Sequence, residues 1–193
     1  MKKLGIILFS VISLYSFSQG GAKEETLAKH YYSAGDYEKA AVLLEVLLNS
    51  KENNRRYYSM LFNSLLRLNE YTYLEKIIKK QIRKHKGEID FEIDLAYVYS
   101  QNDQADKSKK LNEKIISNLQ ADDQEIRAVA YKYISLNQNE YLLKTYEKAY
   151  KLFRDESKYA FELGETYLRL NKQEEAIKFF LAFLERNPNK FIR

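Results

Sequence analysis

The chain of 193 residues contains no cysteine and no tryptophan, a single proline and six glycines. Without cysteine there is no disulfide, no thiolate metal site and no Cys nucleophile. The same absence rules out the lipid attachment that bacterial lipoproteins make at a cysteine just behind an export signal. So few proline and glycine breakers, with little of the Val/Thr alternation of strands, favour helices throughout and an all-α class. No one charge sign dominates either. The formal charge is +5, and without Lys2 and Lys3 the remaining 30 basic residues stand against 27 acidic ones, a surplus of three. A pI near 9.0 therefore does not indicate nucleic acid, which requires cations gathered on one face. The composition does supply apolar bulk: 45% hydrophobic residues and 14% aromatics are ample for a buried core.

One apolar run stands apart. Met1-Lys2-Lys3 is followed by a stretch from Leu4 to Phe17, broken only by Gly5, Ser10, Ser13 and Ser16. It falls short of the roughly 20 apolar residues that span a bilayer, and it ends in Ser16-Phe17-Ser18, two small residues flanking a large one. Residues 1–18 are expected to be a secretory signal cleaved before Gln19, an uncleaved anchor or a buried helix being the alternatives. The expected location is outside the cytoplasm, in a bacterial periplasm or at a cell surface.

The rest of the chain repeats itself every 34 residues, in units 21–54, 55–88, 89–122, 123–156 and 157–190, with residues 191–193 left as the start of a further helix or the chain end. The seventh residue of each unit is aliphatic (Leu27, Leu61, Leu95, Val129, Leu163). The eighth is usually small (Ala28, Ala96, Ala130, Gly164), and the eleventh is Tyr31, Leu65, Tyr99, Tyr133 and Tyr167. These spacings place the three positions on one helical face. The fifteenth is Gly35, Asn69, Asp103, Asn137 or Asn171, residue types that tolerate positive φ, so a tight turn between two helices is expected five times. The second helices carry their own stripes, such as Ala40, Leu44, Leu47 and Leu48 in unit one, which only stacking of hairpin on hairpin can remove from water.

This pattern resembles the tetratricopeptide repeat family. Leu163-Gly164, Tyr167, Ala176, Phe180 and Pro188 match its small, aromatic and proline positions, and Leu27-Ala28, Tyr31, Gly35-Asp36-Tyr37 and Ala40 match in the first unit. Units two to four depart from it. Leu74, Ser108 and Leu142 stand where a small Ala is usual, and Asn112 replaces an apolar residue, which leads us to expect loose packing around residues 104–116. The resemblance implies a right-handed α-solenoid whose first helices line a concave groove for a protein or peptide.

Carried over position by position, that groove comprises Tyr32, Arg56, Asn63, Arg67, Ile93, Tyr97, Arg127, Tyr131, Ile134, Phe161, Glu165 and Arg169. Rigid aromatics would bury area cheaply, and the arginines would fork onto carboxylates of the partner. A family variant that clamps a terminal carboxylate uses Lys and Asn where this chain has Glu25 and Lys29, so that function is not expected.

No catalytic constellation is visible. His30 and His85 lie too far apart to share a ligand site; His30 is expected to be a partly exposed packing residue and His85 a solvated helix-end cation. Acidic clusters at Glu24-Glu25, Asp90-Glu92-Asp94, Asp122-Asp123-Glu125 and Asp155-Glu156 mostly fall in opening helical turns, where they complement the helix dipole. Lys76, Lys79, Lys80, Arg83, Lys84 and Lys86 form the densest basic cluster, read as a solvated helix face with contact to an anionic surface as the alternative. The sequence thus describes a non-enzymatic binding scaffold with no cofactor, no metal, no nucleic acid and no small-molecule substrate. Ile177 and Phe183 beside Phe191 and Ile192 would leave an apolar C-terminal end, open to further repeats or self-association. The alternative is a structural repeat segment of a longer protein whose functional domain lies downstream.

Overall fold

The structure, a computed structural model, describes residues 20–50, 54–153 and 158–188, with side chains from residue 23 onward. The expected signal therefore lies outside the described residues, as do Asp155, Glu156, Phe191 and Ile192.

Among the described residues there are ten α-helices and no strand: α1 Gly20–Ser33, α2 Tyr37–Ser50, α3 Arg55–Arg67, α4 Tyr71–Lys84, α5 Ile89–Gln101, α6 Ala105–Asn118, α7 Asp123–Ser135, α8 Asn139–Phe153, α9 Ala160–Arg169 and α10 Gln173–Arg186. The protein is an all-α helical-repeat structure. It divides into two compact units, the first ending at Glu70 and the second beginning at Tyr71, so that the division falls inside the second repeat. In the first unit α1 packs on α2 and α2 on α3. In the second, α5 packs against α4, α6 and α7, α8 against α6, α7 and α9, and α9 on α10.

The turn column folds as its residue types require. Gly35 has φ 78°, Asn69 57°, Asp103 52°, Asn137 55° and Asn171 58°. In every turn the next amide reaches back to the carbonyl of the eleventh repeat position: Asp36 N to Tyr31 O, Glu70 N to Leu65 O, Gln104 N to Tyr99 O, Gln138 N to Tyr133 O and Lys172 N to Tyr167 O, at 2.9–3.0 Å. This six-to-one bond satisfies a carbonyl the helix end would leave free, and the left-handed residue makes it geometrically possible.

The eleventh-position tyrosines then pack across their hairpins. Tyr133 is fully buried and stacks on Tyr141 of α8, while Tyr31 and Tyr99 carry Lys39 and Lys107 over their rings at 5.1 and 5.5 Å. Tyr167 stacks on Phe179 of α10 and donates its hydroxyl to Glu147 of α8 at 3.0 Å. Burial, aided by that acceptor, pushes the Tyr167 hydroxyl up to about 12.

The seventh position is core in four units (Leu61, Leu95, Val129, Leu163), but Leu27 is 43% exposed. Among the described helices α1 packs chiefly on α2.

The expectation of loose packing around residues 104–116 is corrected by the environment of Asn112. Its side chain is 2% exposed, donates to Ser108 O at 3.1 Å, and accepts the Tyr133 hydroxyl at 2.9 Å. The polar side chain at an apolar position thus has a buried partner on α7, and the replacement is compensated. At the last hairpin, Gly164 lets α10 approach α9: a Cβ there would come within 2.5 Å of the Phe180 ring.

Candidate interaction surface

The expected groove residues divide between the two units. Tyr32, Arg56, Asn63 and Arg67 belong to the first, where Arg56, Asn63 and Arg67 are exposed and the Tyr32 ring meets Tyr37 edge-on at 5.9 Å. The others lie on α5, α7 and α9 of the second unit. Tyr131 is 73% exposed, Ile134 and Leu168 are also open to solvent, Glu165 and Arg169 are exposed beside them, and Tyr97 is half-buried at the register of Tyr131. A tyrosine this open, with an isoleucine on the next turn of α7 and a leucine on α9, makes an apolar strip edged by charge.

Three of the expected groove residues do other work. Ile93 is 1% exposed and belongs to the core with Ile126, Val129 and Tyr133, because α7 covers that side of α5. Phe161 is directed toward α10, its ring 5.7 and 5.4 Å from Phe180 and Phe183, the former being the ring that fills the space over Gly164. Arg127 was expected to fork onto a partner's carboxylate, but its Nε already donates to Asp123 at 2.8 Å and its Nη1 lies 3.5 Å from Glu162.

Arg127 forms part of a network joining α7 to the start of α9. The Tyr159 hydroxyl donates to Asp123 Oδ1 at 2.6 Å, Lys158 Nζ lies 3.4 Å from the same oxygen, and the Lys158 ammonium stands 3.4 Å over the Phe153 ring. Donation by Tyr159, then by Arg127, holds the Asp123 carboxyl down at about 2, against an ordinary 3.8. Tyr159 itself is 3% exposed and has φ 64°, an uncommon backbone state for a bulky residue, held by this bond and by the rings of Tyr146 and Phe153. In the first unit Tyr57, at the same repeat position, donates to Glu25 of the preceding repeat, which Lys29 also meets. Repeat-to-repeat tyrosine–carboxylate bonds were not anticipated from the sequence. The signal was present in the shared third position of Tyr57 and Tyr159.

Asp94 was also missed. Read as an opening-turn acid, it is fully buried on α5 and pairs with Lys132 of α7 at 2.7 Å. Asp122 behaves as expected, its side chain accepting from Gln124 N and Glu125 N as the cap of α7. Glu88, Asp90, Glu92, Asp122 and Glu125 line an open cleft of about 480 Å³ with Lys114, and no group of three acidic or histidine side chains suited to a metal ion occurs among the described residues. His85 is not the solvated cation expected. Its side chain is 13% exposed, packs 5.3 Å from the Phe91 ring, and places Nδ1 3.3 Å from Glu88. His30 is exposed beside Tyr31. Of the expected basic cluster, Lys76, Lys79, Arg83, Lys84 and Lys86 are exposed and Lys80 half-buried, with Lys79 held to Glu75 at 2.6 Å. On α10, Ile177, Leu181 and Leu184 are exposed, while Phe183 is half-buried against Phe161.

No family model matches the chain, and no curated protein does. Among solved structures it is similar to MamA from Desulfovibrio magneticus RS-1, at 16% identity and TM-score 0.45 over 91% of this chain and 99% of that one. A thermophilic tetratricopeptide repeat protein from Thermus thermophilus is similar at 19% identity and TM-score 0.44, over 88% of this chain and 93% of that one. A tetratricopeptide repeat protein from Parabacteroides merdae ATCC 43184 is similar at 12% identity and TM-score 0.47, over 91% of this chain and 70% of that one. Likeness at this level carries no functional argument; the chain's own 34-residue hairpins, closed by the same left-handed turn, are what give it a tetratricopeptide-type architecture.

Proposed function

We infer that the protein is an exported, non-enzymatic scaffold that binds a protein or peptide segment along the exposed faces of α5, α7 and α9. The observation carrying this reading is Tyr131, 73% exposed on a helix whose other aromatic, Tyr133, is wholly buried. A solvent-facing tyrosine flanked by Ile134 and Leu168 loses little conformational freedom on binding and supplies apolar contact at once. The Asp123–Tyr159–Arg127 network ties α7 to the start of α9 and so presents the strip ready-made. Export rests on the basic start, short apolar run and small-residue pattern of residues 1–18, and points to a partner of the bacterial envelope.

The test is a pull-down from envelope extract with the full chain, against a variant carrying Tyr97→Ala and Tyr131→Ala. A partner retained by the parent and lost from the variant, with helicity unchanged, is the expected result. Equal retention by both would remove this strip from the binding site.

A further inference from the structure

The second helix of each repeat in the second unit carries charge that packing does not ask for. Lys76 on α4, Lys110 on α6, Lys144 on α8 and Lys178 on α10 recur at intervals of 34 residues, and all four are exposed. One helical turn further on, Lys80, Lys114 and Lys148 repeat the pattern on three of these helices, Lys114 standing at the edge of the acidic cleft. The first unit shows that the fold does not require lysine at either position. There the equivalents are Val42 and Val46, 53% and 45% exposed.

Side-chain contacts place these helices side by side. Lys79 of α4 and Lys107 of α6 converge on the Tyr99 ring, at 5.9 and 5.5 Å. The helices α6 and α8 pack directly, and Tyr150 of α8 meets Phe179 of α10 at 6.0 Å. Packed directly, α6 and α8 lie about 8–10 Å apart, and the shared Tyr99 contacts and the Tyr150–Phe179 contact continue the ladder of lysines to α4 and α10. None of the four makes an ion pair with another described residue, and Lys144 lies 5.4 Å over the Tyr141 ring.

Charge is segregated accordingly. The helices α4, α6 and α8 carry twelve basic residues against five acidic, and α10 two against three, whereas α5, α7 and α9 carry three basic against seven acidic. The acids among the lysines are Glu75, Asp106, Glu113, Glu140 and Glu147. Glu75 is tied to Lys79 and Glu147 accepts the Tyr167 hydroxyl.

We propose that this lysine ladder docks the protein on an anionic lipid surface, leaving the α5, α7 and α9 faces directed elsewhere. A folded protein partner needs an apolar or aromatic anchor at the centre of the contact; none of the exposed large hydrophobics lies on α4, α6 or α8, and those of α10 (Ile177, Leu181 and Leu184) stand at the C-terminal end of the ladder and not at its centre. Nucleic-acid faces rely on arginine forks and aromatic stacking. On these three helices Arg83 stands alone among lysines and no aromatic is exposed. Diffuse attraction of point charges to a charged headgroup layer needs neither, and each lysine near such a surface contributes about 1 kcal/mol.

The experiment is co-sedimentation of the full chain with phosphatidylcholine vesicles and with vesicles containing about 30% phosphatidylglycerol, chosen to give a strong surface charge. The ladder variant carries Lys76→Gln, Lys110→Gln, Lys144→Gln and Lys178→Gln; a charge-matched control carries Lys23→Gln, Lys39→Gln, Lys51→Gln and Arg55→Gln. Circular dichroism confirms that both fold. The expected result is binding to the anionic vesicles only, abolished by high salt, weakened on the order of a thousandfold in the ladder variant and far less in the control. No preference for anionic vesicles would overturn the proposal, as would equal losses in the two variants. Displacement by duplex DNA at equal phosphate concentration would overturn the assignment to lipid.

Discussion

Tyr133 and Asn112 show how much a single buried hydrogen bond decides here. The Asn112 side chain has Ser108 O and the Tyr133 hydroxyl as partners in a buried space, and removing either leaves a polar atom there unsatisfied. Tyr133→Phe is expected to cost about 1–3 kcal/mol in chemical denaturation, and adding Asn112→Leu to recover part of that loss. A double variant no more stable than Tyr133→Phe alone would show the bond is not the reason. At Asp123 the effect is electrostatic. Its folded carboxyl lies at about 2, below the ordinary 3.8, so its contribution to stability is fully present above the ordinary value and is lost as pH falls toward 2. Tyr159→Phe removes the first cause of that depression. The Asp123 carboxyl should then titrate measurably higher by NMR, and the acid limb of the stability curve should move to higher pH. Asp123 lies in the opening turn of α7 as the sequence indicated, but its tyrosine partner, like the surroundings of Asp94 and Asn112, could not be read there, because helical periodicity reports which face a residue occupies and not which neighbouring helix supplies its partner.

Helices and turns were far more legible. The five turn residues from Gly35 to Asn171 could be found because left-handed backbone restricts residue type locally, without reference to tertiary contacts. Asn137→Gly should be neutral or slightly stabilising, whereas Asn137→Val should cost at least about 1 kcal/mol, read from melting curves. Equal effects would mean the positive φ of 55° is not imposed by the turn. Core positions were legible from helical periodicity: Leu95 is 7% exposed, and Leu95→Ala is expected to lose about 2–5 kcal/mol by opening a cavity. An unchanged melting curve would contradict its assignment to the core. Tyr159 was not legible. A bulky aromatic at positive φ contradicts local preference, and only the Asp123 bond and the rings around it explain its conformation. Ile93 and Phe161 were misplaced because the groove register was carried over by position, and it could not foresee α7 over Ile93 or the Phe180 and Phe183 rings of α10 that meet Phe161.

From α4 to α9, first helices with a surplus of acid and second helices rich in lysine give the repeat two chemically different faces. One presents Tyr131, Ile134 and Leu168 with Arg127 already paired to Asp123; the other presents a ladder of lysines with no exposed large hydrophobic on α4, α6 or α8. Under the proposed function a bound segment takes the first face and an anionic surface the second. The most direct test of its central claim is site-specific photo-crosslinking in the producing cell, with a photoreactive residue replacing Tyr131 and, in parallel, Ser117 on α6. One discrete crosslinked protein is expected from the Tyr131 site and none of that mass from Ser117. The same product from both positions, or none from Tyr131 in a chain that remains folded, would contradict it.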